Sequence, residues 1–118
     1  MARLLLEKNC NVTILHSKTS NENKRLFLKN ADLIITAAGK RGLIDETYEL
    51  KPTVWIIDVG MNLDENGKLI GDCERNLSFY PVAFQSPVPG GVGLTTRLAL
   101  ITNLLKLYPM SSYYKPFA

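Results

Sequence analysis

The stretch Val54-Trp55-Ile56-Ile57-Asp58-Val59-Gly60-Met61-Asn62 sets the architecture. Its first six residues are β-branched, aromatic or aliphatic, apart from one aspartate. A run this short, with Lys51-Pro52 forming a turn before it and Gly60 after it, reads as a buried strand. Two similar runs precede it. Val-Thr-Ile-Leu at 12–15 and Leu-Ile-Ile-Thr-Ala at 33–37 are also apolar and bounded by polar or turn residues. Three such runs separated by helical or turn segments predict a parallel sheet covered on both faces.

The intervening segments fit that reading. Residues 2–8 predict a short helix with a leucine face at Leu4, Leu5 and Leu6, though no capping residue precedes it. Ser20 or Asn21 caps a second helix over 22–28, with Leu26 and Phe27 facing inward. After the strand at 54–59 the rhythm changes. Asn66-Gly67 between apolar residues predicts a hairpin over 63–70 with a type I′ turn, closed by Gly71-Asp72. A last strand is expected over 79–84. A final helix is expected over 95–107, with Leu98, Ile101, Leu104 and Leu105 on one stripe, a stop at Pro109 and a loose tail over 113–118.

Composition bounds the function. The chain has 118 residues, 46% of them hydrophobic and 21% charged, as in a soluble globular domain. The net charge of +3 is mild, and no basic cluster suggests a nucleic-acid surface. Cys10 and Cys73 form no motif, so a reducing, cytoplasmic setting is expected. No apolar segment approaches the ~20 residues needed to cross a membrane, and the N-terminus lacks the pattern of a signal peptide. No metal site is expected.

In open parallel sheets, ligands bind beyond the carboxyl ends of the strands. His16-Ser17-Lys18-Thr19 follows the first run, Ala38-Gly39-Lys40 the second, and Asp58-Val59-Gly60-Met61-Asn62 the third. Ser17 beside Lys18, with no acidic residue, suits a phosphate contact of the kind that the 2′-phosphate of NADP requires; an exposed turn is the alternative. His16 reads as a structural or surface histidine. Gly39 and Gly60 allow close approach to a ligand, or positive φ in a tight turn. Asp58 is either catalytic or a carboxylate that bonds nearby amides, and the second reading is favoured.

Ser86-Pro87-Val88-Pro89-Gly90-Gly91-Val92-Gly93-Leu94-Thr95-Thr96-Arg97 is the most unusual segment. Pro87 and Pro89 stiffen an extended approach and remove two donors. Gly90-Gly91 permits a sharp turn, and residues 93–96 open a helix whose free amides face outward. The result is a rigid backbone ledge where a ring or an anion can lie close. It is not a P-loop, since GxxxxGK[ST] is absent.

With PVPGGVG, a threonine and a long helix, preceded in order by NVTILHSKT, ADLIITAAGK, VWIIDVGMN and NGKLIGD, the chain resembles the bifunctional methylenetetrahydrofolate dehydrogenase/cyclohydrolase family over nearly all its length. The resemblance implies an α/β fold: a Rossmann-like parallel sheet flanked by helices, lacking the first strand and Gly-rich turn, with a small hairpin insertion. It implies NADP as cofactor in preference to NAD, tetrahydrofolate derivatives as partners, and a homodimer. Cofactor contacts would fall on Ser17, Ala38, Gly39, Gly60, Met61 and Thr96. Pro89, Gly90, Gly91, Val92 and Gly93 would line the cleft where a pterin meets the nicotinamide.

The implied activity is oxidation of 5,10-methylene- to 5,10-methenyl-tetrahydrofolate, then hydrolysis to 10-formyl-tetrahydrofolate. Residues 1–93 would form a partial NAD(P)-binding domain. Residues 94–118 would form a long helix and tail directed at a folate-binding domain. No catalytic residue is expected in this stretch, because the family's key lysine and tyrosine belong to that other domain. The family usually carries Pro-Met where Leu94-Thr95 stands here. A sheet without its central strand is expected to leave unpaired edges, and the stretch alone is expected to be inactive. A non-catalytic nucleotide-binding or oligomerisation remnant is the competing expectation.

Overall fold

The computed structural model describes residues 1–74 and 82–108. Its element order is α1 (Ala2–Leu6), α2 (Asn21–Asn30), β1 (Leu33–Thr36), β2 (Trp55–Asp58), β3 (Asn62–Leu63), β4 (Leu69–Ile70), β5 (Phe84–Gln85) and α3 (Val92–Leu107). The main sheet has the order β1-β2-β5, with both pairings parallel. β3 and β4 form a separate antiparallel hairpin. This is the Rossmann-like α/β arrangement with a small hairpin insertion that the sequence predicts.

β1 and β2 form for the expected reason: both are rich in isoleucine, and alternate side chains reach a core. Ile34 and Ile56 point into that core with Leu28, Ile44, Val54 and Cys73. Val54 and Ile56 are fully buried, and each such side chain contributes about 2 kcal/mol. The opposite face is not covered as expected. The row Leu33, Trp55 and Phe84, aligned by the sheet register, is 42%, 54% and 41% exposed. There Trp55 and Phe84 stack on each other, with ring centroids 5.2 Å apart.

The strand expected at 12–15 does not form. No backbone ladder reaches it among the described residues, and Ile14 is 72% exposed. β1 is the edge of the sheet on that side, so an apolar sequence without a hydrogen-bonding neighbour stays irregular. Only Leu15 packs partly against the core.

Ser20 does cap α2, accepting the Asn23 amide at 3.3 Å. Leu28, not Leu26 or Phe27, is the residue α2 buries, because helical rotation turns those two toward solvent. The leucine face of α1 buries nothing.

The hairpin turn is also a correction. A type I′ turn needs positive φ at both central residues, yet only Gly67 has it, at 75°. Asp64 is the cause. Its carboxylate accepts the Asn66 and Lys68 amides at 2.9 and 2.8 Å, which fixes an Asx-type turn over 64–67 that ends on the glycine. Those same bonds, led by the one from Lys68, hold the Asp64 carboxyl below its ordinary value of 3.8.

The last helix begins at Val92 rather than Thr95 and runs to Leu107. The expected stripe of Leu98, Ile101, Leu104 and Leu105 is exposed, and α3 buries no residue. Of the expected strand over 79–84, residues 79–81 lie outside the described residues, as do Pro109 and the tail over 113–118. The observed strand is Phe84–Gln85.

Candidate functional site

Because the sheet is parallel throughout, the loops after β1, β2 and β5 emerge at one edge. Two buried carboxylates fasten them together.

Asp58 ends β2 and is 2% exposed. Its carboxylate accepts the Thr36 hydroxyl at 3.1 Å and the amides of Gly60, Asp72 and Cys73 at 2.9, 3.0 and 2.9 Å. Its own amide donates to Ser86 Oγ at 2.8 Å, which seats the proline–glycine ledge against the tip of β2. Asp72 follows the hairpin and is fully buried. It accepts the amides of Ala38, Gly39 and Lys40 at 2.7, 3.1 and 2.9 Å, and Asn62 Nδ2 at 2.9 Å. A buried carboxylate is tolerable only when so bonded. No buried side-chain nitrogen or oxygen among the described residues lacks a partner. Asp58 is thus the turn-fixing carboxylate that its position suggests.

Two glycines make room for this pair. A Cβ at Gly60 would overlap the Asp72 carboxylate, and one at Gly71 would overlap that of Asp58. Gly60 is therefore packed by protein. Gly39 is the opposite case. Its φ is 63°, and nothing lies within 4 Å of where a Cβ would stand. Gly90, at φ 100°, and Gly93 also face open space, whereas a Cβ at Gly91 would strike the Pro87 carbonyl.

The ledge is a tight turn rather than an extended approach: residues 88–90 are in turn conformation and the Val88–Pro89 bond is cis. Gly91 caps α3 without a side-chain acceptor for the first-turn amides. Thr95 and Thr96 both donate their hydroxyls to the Val92 carbonyl, at 2.7 and 3.1 Å. A cleft of about 420 Å³ runs along the ledge, lined by Gly71, Cys73 and residues 85–89. Met61, beyond β2, is 73% exposed. Asp58, Asp72 and Ser86 thus tie the tips of β1 and β2 to the ledge that follows β5.

Cys73 lies beneath it. Burial pushes its thiol up to about 12, the Asp58 and Asp72 carboxylates push the same way, and the Thr36 hydroxyl, 3.6 Å away, opposes them. A thiol so held is inert as a nucleophile at neutral pH. Among the described residues no group of His, Cys, Asp and Glu is arranged to hold a metal.

Residues 16–19 form a turn closed on itself. The His16 amide donates to Thr19 Oγ1, the Thr19 amide to the His16 carbonyl, and the Lys18 amide to His16 Nδ1, all at 3.0–3.1 Å. His16 is thereby a turn-former, and Ser17 and Lys18 are exposed. No hydrogen bond joins this turn to the other loops among the described residues.

Asp72, Thr36 and Ser86 were not singled out by sequence reasoning. The signal lay in Asp58-Val59-Gly60 paired with Gly71-Asp72, where each glycine accommodates the other segment's carboxylate.

Comparison with known proteins agrees with the motifs. The family described as Tetrahydrofolate dehydrogenase/cyclohydrolase, NAD(P)-binding domain matches residues 1–112. The bifunctional protein FolD of Staphylococcus saprophyticus is 44% identical over 105 residues, covering 89% of this chain and 36% of the relative. That of Streptococcus uberis is 45% identical over 101 residues, covering 86% and 34%. A crystal structure of the Campylobacter jejuni FolD enzyme superposes with a TM-score of 0.82 at 38% identity, over 90% of this chain and 36% of that one. The Trypanosoma brucei dehydrogenase–cyclohydrolase, solved with NADP and an inhibitor, gives 0.80 at 32% identity, over 96% and 40%. The chain thus spans about a third of the length of the relatives it matches. No helix among the described residues is long and apolar enough to cross a membrane.

Proposed function

The chain belongs to the tetrahydrofolate dehydrogenase/cyclohydrolase family as its NAD(P)-binding domain, and we propose that it supplies the cofactor-binding half of an NADP-dependent oxidation of 5,10-methylene- to 5,10-methenyl-tetrahydrofolate, followed by hydrolysis to 10-formyl-tetrahydrofolate. The observation that carries this reading is the joining of three strand tips to the ledge through Asp58, Asp72 and Ser86.

The residues fit a dinucleotide. Backbone at Gly39, Gly90 and Gly93 borders empty space, so a ring or sugar approaches without meeting a side chain. Ser17 and Lys18 offer a hydroxyl and a cation to a 2′-phosphate, the group that separates NADP from NAD. Ala38, Gly39, Met61 and Thr96 would hold the remainder, with Gly60 acting from behind by admitting the Asp72 carboxylate. The ledge from Pro89 to Gly93 would present one wall to the pterin. The bound cofactor supplies a hydride acceptor at nicotinamide C4. This chain's task is to orient that group and to hold the ledge still, the usual division of labour in cofactor enzymes. Residues 94–118 would pack toward a folate-binding domain that carries the catalytic lysine and tyrosine, so this stretch alone is expected to turn over no substrate.

One observation favours a second reading, a non-catalytic nucleotide-binding or oligomerisation module: α3 is rich in leucine, and none of its residues is buried among the described residues. Calorimetric titration with NADP+, NAD+ and a folate separates the two. Saturable binding of NADP+ and folate, with NADP+ tighter than NAD+, supports the enzymatic half; binding of neither sinks it.

A further inference from the structure

We propose that Asp72 is a positioning residue for the cofactor, holding the turn over 38–40 in the one shape that exposes Gly39. This rests on the function proposed above.

Three successive amides, those of Ala38, Gly39 and Lys40, converge on one side chain. Consecutive amides in a concave turn form a nest that binds anions. Here the anion is built in. Asp72 fills the nest from the protein side, so these amides are spent and do not receive a cofactor phosphate. What the turn offers outward is its other face, centred on Gly39 at φ 63° with open space beyond. That face suits an uncharged part of the dinucleotide, a ribose or a ring lying flat on backbone.

Such a contact depends on where the backbone is held. A glycine in the left-handed region has no side chain to anchor it, so the restraint must come from elsewhere. Asp72 is the anchor. It is itself fixed by Asn62, by the hydrogen bond its backbone N–H donates to the Asp58 carboxylate, and by the missing side chain at Gly60. The hairpin of β3 and β4 is thereby explained as well: it delivers Asp72 to the far side of the turn.

Two variants of the full chain test this. Asp72→Asn keeps the size but must point an N–H at one pair of its four donors. Val54→Ala, in the core at the other end of β2, lowers stability without touching any group bonded to Asp72. Each is titrated with NADP+ well below its melting temperature, and amide hydrogen exchange is followed by NMR. The expected result is a loss of about tenfold or more in NADP+ affinity for D72N, the scale of a lost charge-assisted hydrogen bond. Exchange should quicken at Ala38, Gly39 and Lys40 while Ile56 and Ile57 stay protected. V54A should melt at a lower temperature yet bind NADP+ within about threefold of wild type.

A purely structural Asp72 would lower the melting temperature and leave the affinity of the folded protein unchanged, which overturns the inference. So would V54A weakening binding as much as D72N. Failure of wild type to bind NADP+ contradicts the proposed function and removes the cofactor role with it, whereas the exchange measurement alone still reads whether Asp72 holds the turn.

Discussion

The Asp72 amide donates to the Asp58 carboxylate at 3.0 Å, and the glycine beside each aspartate gives up its side-chain volume to the other's carboxylate. Two short segments, 14 residues apart on either side of the hairpin, are thus interlocked at the carboxyl edge of the sheet.

Removing Asp58 should be severe. Asp58→Ala leaves the Thr36 hydroxyl and the amides of Gly60, Asp72 and Cys73 without their acceptor in a dry site. Each stranded donor costs about 1–3 kcal/mol. Urea denaturation is expected to show a loss of at least about 3 kcal/mol, or no folded state at all.

The glycines should separate by cause. Gly60→Ala and Gly71→Ala push a methyl group into a carboxylate and should each cost about 2 kcal/mol or more. Gly39→Ala meets nothing, so it pays only for its backbone angle, about 1 kcal/mol. The same denaturation series reads all three.

The sequence revealed the strands whose neighbours it also contains. β1 and β2 are legible because Ile34 and Ile56 alternate into a core that the chain itself completes. Residues 12–15 carry an equally good apolar pattern and fail as a strand, since a strand needs a partner as well as a composition. The ledge was legible from its prolines and glycines. Asp72 was not, because one aspartate after a hairpin looks like any polar turn residue until the fold brings the turn over 38–40 onto it.

The leucines of α3 test this distinction directly. A stripe at helical spacing suggests a core, yet Leu98 and Ile101 are 64% and 55% exposed. Leu98→Lys and Ile101→Lys should change stability by less than about 0.5 kcal/mol. Ile56→Ala, in the true core, should cost about 2–5 kcal/mol. Thermal melts of the three variants check the contrast.

The two cysteines should differ sharply. Cys10 is exposed and Cys73 buried. At pH 8 a thiol reagent should label Cys10 quickly and Cys73 only as the protein unfolds. Because folding raises the Cys73 thiol from its ordinary 9.0 to about 12, its contribution is complete below pH 9 and is lost as pH rises from there through 12. Chemical denaturation across that range should show stability falling, and Cys73→Ser should reduce the fall.

The account stands most directly on NADP+ titration of the isotope-labelled chain, followed amide by amide. It predicts saturable shifts grouped at Ser17, at Ala38 to Lys40, at Gly60 and Met61, and along Gly90 to Gly93, with the buried amides of β2 unmoved. Shifts confined to another surface, such as the cleft between Arg25, Lys29 and Glu49, or no saturable shift at millimolar cofactor, would contradict it.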